Sequence, residues 1–202
     1  MKKFLLMFLF FISLSNAVDL SKYDTRNKIL VVENKKLYKY EKVNGNWKLD
    51  YKTDVTVGRN GVAKSGEKRE GDGKTPSGEY TFGFIFGNAK EKPDTRLPYK
   101  KVKSTSKWVD DVNSKYYNQW VEDNVKDKDW NSAENLIEEQ IAYKYAIVIN
   151  YNINPIEKGN GSAIFLHVKT GKNTAGCIGV DENIIIDLMK FIDKETLLVI
   201  KQ

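Results

Sequence analysis

Cysteine and histidine are nearly absent from this sequence: each occurs once in 202 residues, at Cys177 and His167. A single cysteine excludes an intramolecular disulfide, and with it a fold stapled by bridges. One cysteine and one histidine also fall short of the three or four protein ligands that zinc sites use, so neither a metal nor another cofactor is expected. Long apolar runs are missing too. The longest, Phe4 to Leu14, has 11 residues, against roughly 20 needed to cross a bilayer. No fixed-period repeat or low-complexity linker divides the chain, which leaves one domain. The basic excess, 33 Lys and Arg against 27 Asp and Glu, is scattered along the chain. Without a basic stripe interleaved with aromatics it describes a solvated surface, and no nucleic acid partner is expected. Gly71 and Gly73 form a Gly-x-Gly, but the Walker-type spacing is not met and no βαβ unit surrounds them, so a phosphate loop gains little support.

What is present begins with two lysines, the apolar run, and small residues at Ser15 and Ala17. This order reads as a secretory signal peptide over residues 1–17, with no cysteine after it to take a lipid. Residues 18–202 are then expected to form one exported catalytic domain, in the periplasm or cell wall and without stable membrane insertion. A lone thiol kept in an oxidising compartment is better explained by chemistry than by stapling.

Cys177 and His167 lie ten positions apart, joined by a polar connection containing Gly171 and Gly176. Taken singly, a cysteine is most often a small buried hydrophobe and a histidine a satisfied structural residue. Their pairing points further. His167 ends the apolar run Ala163 to Leu166, which reads as a buried strand, and Thr170-Gly-Lys-Asn173 has turn composition. A chain that reverses there forms a hairpin and brings imidazole and thiol together. An adjacent imidazole corrects the weak nucleophilicity of a neutral thiol by taking its proton. Gly176 permits close backbone approach, and the N–H groups of Gly176 and Cys177 are candidate oxyanion donors, with Thr174 steadying the turn.

The segments Ile164-Phe-Leu-His167 and Thr174-Ala-Gly-Cys177 resemble the catalytic signature of the L,D-transpeptidase (YkuD) family, in its branch with short His-to-Cys spacing. Lys68-Arg-Glu-Gly-Asp-Gly-Lys-Thr-Pro-Ser-Gly-Glu-Tyr80 is similar to the family's charged, glycine-rich stretch. Trp108-Val-Asp-Asp-Val-Asn-Ser-Lys-Tyr-Tyr-Asn118 and Tyr145-Ala-Ile-Val-Ile-Asn-Tyr-Asn152 also resemble that branch. The likeness runs from about Gly58 to the C-terminus. It implies a YkuD-like β-sandwich and a cysteine acyltransferase of peptidoglycan stem peptides, which forms a thioester at Cys177, releases D-alanine and transfers to an amine. The same pair would permit an L,D-carboxypeptidase, or an amidase that detaches a murein-linked protein; a non-catalytic wall-binding module is the alternative of another class. Two departures stand out. Ala175 and Val168 occupy positions where many members have a second histidine and a polar residue. Val168 has no side-chain acceptor, so a main-chain carbonyl must orient His167.

Along the chain, Ile29-Leu-Val-Val and Leu37-Tyr-Lys-Tyr predict a hairpin, with further strands at Trp47 to Tyr51 and Asp54 to Val57. Arg59 to Ser77 is a charged loop; the resemblance places it beside the cleft, where Arg59 or Lys68 would meet a substrate carboxylate. The irregular insertion, about 87–140, holds three of the four tryptophans. Helices are predicted at Lys115 to Val121 and from about Ser132 to Ile141, the second from the capping-box spacing of Asn131 and Glu134. Its aromatics, Trp108 and Tyr117 among them, are read as core or as a lid over a substrate groove. Tyr143 to Tyr151 reads as a central strand. Asp181 opens a helix whose Ile185, Leu188, Met189 and Ile192 share one face, and Thr196 to Ile200 is a final strand. The fold class is mainly β with a few peripheral helices.

Overall fold

The computed structural model describes residues 18–202, so the expected signal peptide lies outside the described residues. A hairpin ladder opens the fold: β1 (Lys28–Glu33), β2 (Lys36–Val43) and β3 (Asn46–Asp54), turned at Asn34 and Lys35 and again at Asn44 and Gly45, all with positive φ. Asn and Gly tolerate that region, which suits tight hairpin turns. Short strands follow: β4 (Val62–Ala63), β5 (Thr75–Pro76), β6 (Gly78–Tyr80), β7 (Phe82–Gly87) and β8 (Tyr99–Lys101). The insertion contains β9 (Ser106–Val109), β10 (Trp120–Glu122) and β11 (Ala133–Asn135). The chain closes with β12 (Ala146–Ile149), β13 (Phe165–Val168), β14 (Ile178–Val180), helix α1 (Glu182–Phe191) and β15 (Leu197–Ile200).

Two five-stranded sheets form the sandwich, ordered β3-β2-β1-β15-β6 and β14-β13-β12-β7-β8. Period-two alternation decides what each strand buries. Leu30 and Val32 of β1, Leu198 and Ile200 of β15, Ile147 and Ile149 of β12, and Leu166 and Val168 of β13 meet between the sheets, together with Ile185, Leu188 and Met189 of α1. Fully burying such a side chain contributes about 1.5–3 kcal/mol. The alternate residues of β12 and β13, Ala146, Val148 and Phe165, point to the opposite face and pack with Trp108, Leu136, Tyr143 and Cys177. The second sheet is therefore buried on both sides, by the sandwich and by the insertion.

Three expectations are corrected. The insertion holds a three-stranded antiparallel sheet, β10-β9-β11, where helices were predicted. Around Lys115, carboxylates capture the backbone donors that a helix would use: Asp111 Oδ1 accepts the Asn113 N–H and Asp129 Oδ2 the Lys115 N–H, and Asn118 has φ +57°. Side-chain competition of this kind is why Asp and Asn disfavour helix interiors. The capping-box reading at Asn131 fails similarly, because its N–H donates to Asp111 Oδ2 at 2.8 Å and β11 pairs with β9. The His-to-Cys connection is not a hairpin either: β13 and β14 run parallel, with His167 opposite Gly179. Finally, α1 begins after Asp181, but the Asp181 carboxylate makes no cap and lies 3.4 Å from Lys169.

Candidate active site

Crossing the sheet edge, residues 56–59 hold the cysteine segment on both sides of Cys177. Thr56 and Gly179 exchange two backbone hydrogen bonds of 2.9 Å, the Arg59 N–H donates to Thr174 O at 2.8 Å, and the Thr174 N–H donates to Val57 O at 3.1 Å. Gly58 makes this crossing possible, since a Cβ there would come within 2.4 Å of Gly73 O. Thr174 closes the turn. Its hydroxyl donates to Cys177 O at 2.6 Å and accepts the Gly176 N–H at 3.2 Å. The Gly176 N–H is therefore engaged and unavailable as an oxyanion donor, contrary to expectation. The Cys177 N–H has no protein acceptor among the described residues. Gly176 instead serves packing, with Ile164 Cδ1 and Lys74 O each 3.0 Å from where a Cβ would be.

Cys177 is buried, and its sulfur accepts the Phe165 N–H at 3.3 Å and donates to Ala163 O at 3.2 Å. Ala163 adopts φ +53°, costly for a residue with a Cβ. Asn118 holds it there: its Oδ1 accepts both the Ala163 N–H at 3.1 Å and Trp108 Nε1–H at 2.9 Å. His167 Nδ1 lies 2.8 Å from Val168 O. A carbonyl can only accept, so Nδ1 carries the proton and Nε2 is left with its lone pair. The orienting main-chain carbonyl is thus the neighbouring residue's own. Burial pushes the imidazole pKa down and the Cys177 thiol up to about 12, the negative Glu134 adding to the latter. At rest the thiol and the imidazole are both neutral.

Cys177 and His167 line one cavity of about 470 Å³, together with Arg59, Lys68, Thr174 and Gly176. Arg59 has no carboxylate partner among the described residues. Lys68 does: its Nζ is buried against Asp72 Oδ1 at 2.8 Å and Arg69 O at 2.6 Å, so the charge expected to meet substrate is already neutralised. Trp108 and Tyr117 are not at the cavity. Trp108 packs edge-on to Phe165 with centroids 4.8 Å apart, and the Tyr117 hydroxyl donates to Glu70 Oε2 at 2.5 Å and accepts the Gly161 N–H at 3.0 Å. Both are supports for the site, not a lid. The sequence reading missed Glu134, Asp110 and Glu139 of the insertion and Tyr143 just after it, which line the cavity. Sequence spacing reads Glu134 as part of a capping box, whereas the pairing of β11 with β9 turns it toward the cavity.

No curated protein matches the sequence. Among solved structures, the helical cell shape determining protein Pgp2 from Campylobacter jejuni aligns at TM-score 0.50 and 16% identity, over 91% of this chain and 54% of that one. Bd1075 of Bdellovibrio bacteriovorus aligns at TM-score 0.47 and 17% identity, over 87% and 48%. An L,D-transpeptidase of Enterococcus faecium aligns at 0.40 and 13%, over 87% and 49%. The chain spans about half the length of these solved relatives. The model of the L,D-transpeptidase catalytic domain, YkuD, matches residues 26–200, nearly all of the described chain, and the chain belongs to that family.

Proposed function

We propose that this chain is an exported cysteine acyltransferase of murein stem peptides, working in the periplasm or cell wall. The observation that carries the reading is the shared cavity lined by both His167, whose Nε2 carries the lone pair, and a Cys177 whose sulfur is fixed by Phe165 and whose N–H has no protein acceptor among the described residues. Peptide entry brings the thiol proton to His167 Nε2 as sulfur attacks the carbonyl that follows the L-centre of the stem's dibasic residue. The Cys177 N–H stabilises the oxyanion. The C–N bond then breaks, the imidazolium protonates the departing amine of D-alanine, and a thioester remains. An amine acceptor gives a cross-link and restores the thiol, whereas water gives carboxypeptidase action. Arg59 suits a substrate carboxylate. Among the described residues no helix is long and apolar enough to cross a membrane.

The test is intact mass after incubation with a carbapenem, which acylates thiols of this family by resemblance. Wild type should gain one adduct, Cys177→Ala none, and His167→Ala should gain it at least about a hundredfold more slowly, the usual weight of a general base. Digestion of murein by the mature protein then identifies products. Folded wild type that takes up no carbapenem and leaves stem peptides intact would overturn the reading in favour of a binding module.

A further inference from the structure

The insertion's sheet and the loop after it bring three carboxylates to the cavity: Asp110 after β9, Glu134 in β11, and Glu139. Glu134 is unlike a surface carboxylate. Its Oε1 accepts the Tyr143 hydroxyl at 2.5 Å, and its Oε2 has no protein donor among the described residues. The Tyr143 ring stands edge-on to His167, centroids 5.8 Å apart, and packs in the same cluster as Cys177. Burial, with Glu139 and Asp110 near, pushes the Glu134 carboxyl up to about 7. Two further atoms of the same cavity's residues, Ser162 Oγ and Asp110 Oδ1, are buried without a partner, and Ser162 is only 7% exposed. Unpaired buried polar groups are costly, and a ligand that pairs with them relieves that cost. An ammonium group, rich in donors and positive, suits such a wall.

We propose that Glu134 holds the ammonium group of the acyl acceptor and takes its first proton, so that the insertion favours amines over water in the second half-reaction. This rests on the acyltransferase reading. An alkylammonium gives one proton to the Glu134 carboxylate, and the freed lone pair attacks the thioester carbonyl. A second proton passes from the tetrahedral nitrogen to His167 Nε2 as the C–S bond breaks, its electron pair remaining on sulfur. His167 returns that proton to the thiolate, and Glu134 releases its own to solvent. The groups facing Glu134 are Tyr143, Glu139, Asp110 and Cys177. Lys68, the cation felt at the sulfur, is held by Asp72.

The experiment loads the enzyme with a murein tetrapeptide ending in D-alanine and measures amide and hydrolysis products with ethanolamine, a cation near neutral pH, or with hydroxylamine, which is neutral. In Glu134→Gln the amide-to-acid ratio with ethanolamine should fall at least about tenfold, and with hydroxylamine less than about threefold, each ratio being internal to the acyl-enzyme and so independent of how fast it forms. An unchanged ratio, or equal loss with both acceptors, overturns the proposal. Should the variant fail to fold, wild type decides: amide formation from ethanolamine that levels off above about pH 7 supports Glu134 as proton acceptor. A rise of about tenfold per pH unit through pH 8 marks capture of free base from solution and overturns it. Wild type that forms no acyl-enzyme removes the acyltransferase reading itself, a result distinct from a failed preference.

Discussion

Glu134, Cys177 and His167 each hold a proton affinity that the fold has displaced, and the displacements act on stability in opposite senses. A carboxyl raised from 4.5 to about 7 binds protons more tightly folded than unfolded, so its contribution is full below about pH 4.5 and is lost as pH rises through about 7. The shift is worth on the order of 3 kcal/mol. His167, held neutral by burial, contributes above its ordinary 6.5 and loses that contribution as pH falls. The thiol, raised to about 12, loses its contribution above pH 9. Subtracting Glu134→Gln from wild type isolates the first effect. The difference in unfolding free energy by urea titration should decline from pH 5 to pH 7, and a flat difference would place Glu134 in a more solvated setting. Only part of this was legible from residue identity. The sole Cys and sole His stood out because nothing else of their kind competes, but an ordinary Glu among 27 acidic residues acquires its character from what surrounds it.

At the scale of elements, Cys177 is held by a crossing segment more than by its own turn. Residues 56–59 grip Thr174 and Gly179, and Gly58 passes so near Gly73 that no side chain fits between them. Gly58→Ala should therefore cost about 1–3 kcal/mol in thermal unfolding, the usual range for overpacking, and slow carbapenem acylation because Thr174 is displaced. Acylation at the wild-type rate would show that the turn around Thr174 is self-sufficient. The first N-terminal hairpin was readable because two short apolar runs flank a polar turn and agree locally. The insertion was not: its short strands lack a period, and its carboxylates choose backbone partners up to twenty residues away, as Asp111 does with Asn131. The parallel return of β14 beside β13 was likewise invisible, since turn composition near Gly171 says nothing of strand direction.

Over the whole molecule, β13 connects stability with chemistry. Its Leu166 and Val168 face the sandwich core, and Phe165 faces the insertion with Cys177. Leu166→Ala should cost about 2–5 kcal/mol by urea or thermal denaturation, the range for a buried leucine whose cavity does not collapse. The folded fraction should still be acylated at Cys177, because the deletion lies on the face away from the sulfur. Loss of acylation in protein that remains folded would show that the two faces are coupled through the strand.

The sequence by itself determined the mainly β character, the central strand near Ile147 and the face of α1 that packs inward, and it singled out Cys177 and His167 as candidates, since short apolar runs, helical spacing and scarcity are all properties of the chain read locally. It also required a main-chain carbonyl for His167, because Val168 offers nothing else. Tertiary structure alone decided which N–H groups remain free, which cation is neutralised, and that Trp108 and Tyr117 support the site from behind. It decided too that Glu134 enters the cavity. Each of these depends on which partner a polar group finds across long separations, and hydrogen bonds and desolvation select that partner only after the sheets have brought the candidates together.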